Sequence, residues 1–299
     1  MTRYVLCRHA IGQRGEIEIS EAEYHGLAAD IDVLVELSDL EEKYNGFIDN
    51  YFELERGLLE EALRAMIYRD YSTTGLQGAK NTISRRIMNL LTSIKLYLDS
   101  FPQHADRLLA GEQLLNLKNA PARAYNRSLS YRTMEALRNY AQHEAFPVHS
   151  WAVKQEWDTS TEPKLLRATV KPSLDLLRLA KANQFKKKVL DDLKNTAAPI
   201  ELKPLIREYI EQLWMVHSEF RAATNSLMSK AMSSVKAAVA RFTAEYPGSE
   251  LSVVALPVDK DSLKVGEPVY LSATVVEYLP HLMARIGPLS KYSRRRVDY

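Results

Sequence analysis

The sequence predicts a mainly α-helical protein in which a region resembling a four-helix bundle is followed by an α+β extension. Three observations predict this class. Apolar residues recur at three- and four-residue steps over long stretches of the first half, β-branched and aromatic runs are short and bounded by turn-forming residues, and one helical stripe continues from residue 201 to residue 246. We therefore expect two parts, residues 1–147 and residues 148–299.

The first part is expected to open with a short strand hairpin and to continue as helices. A Phe101-Pro102 pair is expected to end the second helix, and Pro121 to lie in a loop. Ser128 or Ser130 can cap the fourth helix, and Pro147 disfavours helical geometry just beyond it. The predicted elements are strands at 3–7 and 16–19 and helices at about 40–71, 83–98, 105–117 and 131–141.

The extension mixes strands with one very long helix. Pro247 and Gly248 are expected to end that helix, which would extend on the order of 65 Å at 1.5 Å per residue. The helix is expected to be flanked by two short β-hairpins. The predicted elements are a hairpin of 149–157 with 165–170, helices within 172–195, the long helix at 201–246, and β-like runs at 251–256 and 268–276.

Composition narrows the function classes. The formal net charge is +2, so nucleic-acid binding would have to come from local basic segments, for which 186–188 and 291–296 are the candidates. A single cysteine, Cys7, excludes an internal disulfide and a Cys-rich zinc site. We find no apolar run of the length of a membrane span and no signal peptide, and we expect a cytoplasmic protein.

The common cofactor and metal motifs do not occur. We find no dinucleotide or phosphate-binding glycine loop, no His-Glu-x-x-His and no Gly-x-Ser-x-Gly, and the seven histidines are scattered. We therefore expect no cofactor and no metal. Arg8-His9 after a short apolar run resembles the opening of the histidine phosphatase family, in which His9 would accept the phosphate. That family alternates strands with helices, whereas residues 40–145 are predicted to be helical throughout.

The sharpest chemical feature is the segment Arg-Asn-Tyr-Ala-Gln-His at residues 138–143, near the end of the fourth predicted helix. At 100° per residue, Asn139 and His143 lie about 40° apart, whereas Arg138 and His143 are about 140° apart and do not meet on an unbroken helix. For an arginine and a histidine side chain to meet at one site, Arg138 must bend along the helix, the helix must unwind before His143, or a second subunit must supply the missing group.

This constellation resembles the HEPN family (higher eukaryotes and prokaryotes nucleotide-binding), whose helical bundles carry Arg, four to six residues, and then His. The resemblance covers residues 40–150. It implies a homodimeric, metal-independent RNA endonuclease of a toxin–antitoxin or antiviral system, with an antitoxin or defence protein as a possible partner. It also implies that Arg138 clamps the scissile phosphate, that His143 is the general acid or base, and that Asn139 orients one of them.

The chemistry is consistent with these residue types. RNA carries its own nucleophile in the 2′-hydroxyl, so the protein must move protons and stabilise a charged phosphorane. Arg85, Arg86 and His149 are further candidates for substrate binding, although ordinary surface arginines and a structural hairpin histidine are the explanation that residue type favours. A second hypothesis is a non-catalytic helical dimerisation or adaptor protein that binds another protein through its C-terminal half.

Overall fold

A computed structural model describes residues 2–8, 15–68, 72–160, 162–196, 199–248, 253–259, 266–271 and 273–295. The described chain is mainly helical with two small antiparallel sheets, which confirms the predicted fold class. The helices are α1 Glu21–Tyr68, α2 Thr73–Leu108, α3 Gly111–Lys118, α4 Ala120–Arg127, α5 Leu129–His143, α6 Leu176–Ala180, α7 Lys187–Lys194, α8 Leu202–Glu245 and α9 Ala273–Arg285. A short 3₁₀ turn follows at Tyr292–Arg294.

The long helix α8 matches its predicted bounds, but three other helix predictions were wrong. Helix α1 begins at Glu21 rather than near residue 40, because the buried Leu27, Leu34 and Leu37 continue the same apolar stripe toward the N-terminus. Helix α2 also begins earlier than expected, at Thr73, so that Lys80 is helical.

Two predictions that were based on proline residues were wrong. Helix α2 runs through Pro102, which loses one backbone hydrogen bond, because Phe101 and Ala105 on either side are both fully buried. The third predicted helix, 105–117, therefore begins inside α2. Pro121 lies in the first turn of α4, where its missing N–H costs nothing, so it helps to start a helix rather than a loop.

The strands form two antiparallel sheets, one of order β2-β1-β6-β7 and one of order β3-β4-β5. The predicted hairpin after the bundle is confirmed as β3 and β4, which pair from Ser150 with Ser173 to Asp158 with Leu165. The run expected at 268–276 is a strand only at Val269–Tyr270 and is helical from Ala273. The strands are β1 Thr2–Arg8, β2 Glu16–Ile19, β3 Ser150–Asp158, β4 Leu165–Leu174, β5 Ile200–Glu201, β6 Val253–Asp259 and β7 Val269–Tyr270.

The N-terminal strand pairs with the far end of the chain, which the sequence did not predict. Strand β1 is the centre of its sheet, paired with β2 from Tyr4 to Cys7 and with β6 along its whole length from Thr2 to Arg8. Pairing over such a sequence separation leaves no local signal in the residues concerned. The predicted hairpin at 3–7 and 16–19 is therefore present, but as part of a four-stranded sheet.

The chain divides into two compact units, each assembled from three segments. These units are assembled from discontinuous segments and so do not test a boundary along the sequence. The domain boundary at residue 147 therefore stays a prediction. Unit one comprises 1–42, 100–117 and 220–287, and unit two comprises 43–99, 118–219 and 288–299. In unit one, buried Glu41 accepts two hydrogen bonds from Arg221. Unit two holds all of the predicted site residues.

The core of unit two is aromatic. Tyr44 stacks on the buried His217 with 3.7 Å between ring centroids, and Tyr97 Oη lies 3.1 Å from His217 Nδ1. Phe47 packs edge-on against Tyr44 and Tyr97. His217 is therefore a core residue. Within the described residues, no helix has an apolar stretch long enough to cross a membrane.

Candidate functional site

An open cleft of about 600 Å³ lies in unit two where the C-terminal end of α5 faces α2 and α6. Its size is within the range of small-ligand sites in proteins. His143 lines this cleft from the last turn of α5, and its side chain is exposed to solvent. The polar and aromatic side chains that line the cleft are those of Gln77, Lys80, Asn81, Gln142, His143, Glu144, Phe146 and Arg178.

The cleft is cationic. Lys80 from α2 and Arg178 from α6 line it, and within the described chain neither of them forms an ion pair. The carboxylate in the lining, that of Glu144, accepts a hydrogen bond from the backbone N–H of Gln184. Two cations without acidic partners make the cleft attractive to an anion, and a guanidinium matches the oxygens of a phosphate group.

The other walls of the cleft suit a nucleotide. The ring of Phe146, 49% exposed, lines the same cleft as His143 and offers a surface on which a base can stack. The amides of Gln77 and Asn81 can donate to and accept from a base edge. No hydrogen bond of the His143 imidazole occurs among the described residues, so both of its ring nitrogens are available to a ligand.

His143 occupies this position because α5 is fixed at its start and unbroken to its end. Ser128 caps the helix, since its Oγ accepts from the backbone N–H of Tyr131 at 3.1 Å. At the other end the backbone N–H of Glu144 donates to the carbonyl of Tyr140 at 2.9 Å. Of the three routes to convergence, unwinding of the helix before His143 is therefore wrong, because the helical hydrogen bonds continue past that residue.

Arg138 has different surroundings from His143. Its Nη2 donates to Asn139 Oδ1 at 2.7 Å, and its Nη1 lies 3.5 Å from Glu135 Oε2. The Arg138 side chain is only 13% exposed, and its Nη1 has no hydrogen-bond acceptor among the described residues. Glu135 in turn accepts from the buried hydroxyl of Tyr209 on α8 at 2.7 Å. Arg138 and Asn139 thus contact each other, and neither lines the cleft of His143.

The expected 140° separation of Arg138 and His143 explains this arrangement. An unbroken helix aims one residue at α8 and the other at the cleft. Within one chain the structure therefore joins Arg138 to Asn139 and does not join either of them to the His143 imidazole.

His149 connects α5 to the helix that carries Arg178. Its Nδ1 accepts from the backbone N–H of Asp175 at 3.0 Å, so its Nε2 carries the proton and donates to Tyr140 Oη at 3.1 Å. Asp175 caps α6 through the N–H groups of Leu177 and Arg178. Burial, and to a smaller extent the nearby charge of Arg178, lower the pKa of His149 to about 4. His149, predicted as a substrate contact, thus makes its ring contacts within the chain beside the cleft.

The two predicted arginines on α2 diverge. Arg86 Nη1 donates to the carbonyl of Glu53 at 3.0 Å and lines a separate cavity together with Glu60 and Glu61, so it is not at the His143 cleft. Arg85 is exposed and lies one helical turn from Asn81, which places it at the same edge of α2 as the cleft.

The basic segments make contacts within the chain. Lys186 Nζ donates to Tyr125 Oη at 3.1 Å and lies over that ring. Arg295 donates to the carbonyls of Pro288 and Ser290 and lies over the ring of Tyr292. His9 and Arg296 are outside the described residues. In the part of the chain that is described, no group of three His, Cys, Asp or Glu side chains is arranged to hold a metal ion.

Sequence reasoning missed Lys80, Arg178 and Phe146. Lys80 was placed before the second helix, whose start was predicted too late. Arg178 reaches the cleft because the pairing of Ser150 with Ser173 returns the chain from residue 174 to the end of α5. The predicted hairpin ended at residue 170 and carried no register, so it gave no signal for Arg178.

Comparison of the chain with family models, with curated proteins and with solved structures finds no match.

Proposed function

We propose that the chain is a metal-independent RNA endonuclease in which His143 transfers protons at the cleft between α5, α2 and α6. The observation that carries the proposal is an exposed imidazole in an open cleft with two cations, Lys80 and Arg178, that form no ion pair. The Arg-Asn-x-x-x-His pattern at residues 138–143, which resembles that of HEPN ribonucleases, is a second and independent support.

In this reaction the RNA 2′-oxygen attacks the adjacent phosphorus, a new P–O2′ bond forms, and the P–O5′ bond breaks. One proton leaves the 2′-hydroxyl and one reaches the departing 5′-oxygen. His143 takes up or supplies such a proton, because an imidazole is effective in both roles near neutral pH. Lys80 and Arg178 neutralise the charge that develops on the phosphorane oxygens.

The role of Arg138 differs in this proposal from the one that the resemblance implies. A phosphate contact by Arg138 from the same chain requires its contact with Glu135 to open, at the cost of leaving that carboxylate without its cation. Lys80 and Arg178 already line the cleft, so we assign the phosphate contacts to them. Arg138 and Asn139 then act by holding the helix that presents His143.

The test is cleavage of single-stranded and structured RNA in EDTA by wild type and by matched variants. We expect His143→Ala to lower the cleavage rate by at least a hundredfold, which is the usual contribution of a general acid or base. The double variant Lys80→Ala/Arg178→Ala is expected to lower it at least tenfold. The controls are His281→Ala and Lys230→Ala, which remove an exposed imidazole and an exposed ammonium in unit one and should leave the rate unchanged.

Equal trace activity in wild type and His143→Ala would contradict the proposal and leave the non-catalytic adaptor. A role in a toxin–antitoxin or antiviral system would also be seen in the growth of cells that express the chain. The wild-type chain expressed alone is then expected to slow growth, and His143→Ala at the same level is not.

A further inference from the structure

A stripe of large apolar side chains runs along the C-terminal half of α1 and has no partner in the described chain. At 100° per residue, Phe52, Leu59, Leu63 and Met66 fall within an arc of about 60°. Each of these four side chains is between 43% and 63% exposed. We call this set the α1 stripe. All of it belongs to unit two.

The α1 stripe is not the face by which α1 packs in its own unit. The buried residues of the same segment, Tyr51, Leu54, Leu58 and Ala65, are centred about 120° away around the helix. This half of α1 therefore has two apolar faces, one in the core and one in solvent. A helix whose second apolar face is covered only by water is expected to have a partner.

The exposed area fits an interface between two copies. With the adjacent Ile67, 60% exposed, the stripe presents roughly 500 Å² of apolar surface, near the upper end of what monomeric proteins expose. Two stripes facing each other would bury on the order of 1,000 Å², and their flanking charges would add to it. That total reaches the area at which specific interfaces become stable.

The charges along one edge of the stripe make it complementary to itself. Glu53, Arg56, Glu60 and Arg64 alternate in sign, lie on the same side of the stripe, and are between 43% and 58% exposed. Within one chain they form the ion pairs Glu53–Arg56 and Glu60–Arg64 along the helix. A two-fold axis between residues 58 and 59 that sets two helices antiparallel brings these edges together. It places Glu53 opposite Arg64 of the other copy, and Arg56 within one residue of the position opposite Glu60.

A parallel arrangement lacks this complementarity. It would set each charged edge against the opposite edge of the other copy, where Ile48 and Ala62 lie. We propose that the α1 stripe is the docking surface for a second copy of this chain and that the two α1 helices pair antiparallel. The inference does not depend on the ribonuclease activity.

The first test is the mass in solution, measured by sedimentation equilibrium at about 50 µM. We expect twice the chain mass for wild type and the single-chain mass for Leu63→Glu. The matched control is Leu115→Glu on α3, which places the same charge at a leucine of similar exposure in unit one and should stay dimeric. A monomeric wild type, or a Leu63→Glu variant that remains dimeric, would overturn the proposal.

The second test does not rely on a disruptive variant. Inverting all four charges, Glu53→Arg, Arg56→Glu, Glu60→Arg and Arg64→Glu, keeps the edge complementary to itself but opposes it to the wild-type edge. We expect both proteins to form homodimers and mixed dimers to be at least tenfold under-represented in native mass spectra of an equilibrated mixture. Statistical mixing of the two chains would rule out the antiparallel pairing.

Discussion

Replacing Arg138 by alanine is expected to destabilise the protein before it affects any chemistry. The Arg138 side chain is only 13% exposed, and the variant leaves Glu135, whose side chain is 19% exposed, without the cation 3.5 Å away. Among the described residues, Glu135 then keeps the hydroxyl of the buried Tyr209 as its one hydrogen-bond donor. The variant therefore creates a largely desolvated carboxylate with a single hydrogen bond.

The size of the effect follows from this geometry. Breaking a fully buried ion pair costs about 3 to 5 kcal/mol, and the length and partial exposure of this one reduce the expected loss to about 2 to 3 kcal/mol. In a chain of this size that corresponds to a decrease in Tm of roughly 5 to 10 °C. Adding Glu135→Gln removes the unpaired charge and retains an acceptor for Tyr209, so the double variant should recover at least half of the loss.

The assay is thermal unfolding followed by circular dichroism, with His143→Ala as the comparison. Because His143 is exposed and forms no hydrogen bond within the described chain, its replacement should change stability by less than about 0.5 kcal/mol. An Arg138→Ala variant that unfolds at the wild-type temperature would contradict this expectation, and so would a further decrease in Tm when Glu135→Gln is added. The cleavage rates of Arg138→Ala and wild type should therefore be compared at a temperature well below the Tm of the variant.

Two further predictions concern the groups that hold the cleft together. Ser128→Ala removes the cap on the N–H of Tyr131 and should cost about 1 to 2 kcal/mol in urea unfolding, more than Ser130→Ala, which leaves the cap intact; equal losses would contradict this. Burial and the charge of Arg178 lower the pKa of His149 to about 4, so the unfolded chain binds more protons below pH 6.5 and the folded state loses stability as the pH falls. After a discount for the partial exposure of His149, the free energy of unfolding of the wild type should fall by about 1 kcal/mol between pH 6.5 and pH 5, and that of His149→Gln should not. Parallel profiles of stability against pH for the two proteins would contradict this.

The parts of the fold that the sequence predicted are those determined by neighbouring residues. The stripe of α8, the cap at Ser128 and the aromatic and β-branched runs of β3 and β4 each depend on contacts within one element or one hairpin. Pro102 was misjudged because burial of Phe101 and Ala105 outweighs one lost backbone hydrogen bond. That balance depends on packing partners distant in sequence.

In the candidate site, too, only the features that depend on neighbouring residues were predicted from the sequence. The helical spacing predicted that Arg138 and His143 point in different directions, and α5 keeps them apart. The spacing carried no information about Lys80 and Arg178, which reach the cleft through α2 and through the return of the chain along β4. Likewise, Arg86 was a reasonable phosphate contact by residue type, but it is turned away toward the carbonyl of Glu53.

The most direct test of a histidine-based, 2′-hydroxyl-dependent cleavage at the His143 cleft is the chemistry of the product ends, read by mass spectrometry. A defined RNA oligonucleotide incubated with the wild-type protein in EDTA should yield a 2′,3′-cyclic phosphate on one fragment and a 5′-hydroxyl on the other. Placing a single 2′-deoxynucleotide before the cut should abolish that product. Fragments that end in a 3′-hydroxyl and a 5′-phosphate, or cleavage that survives the deoxy substitution, would contradict it.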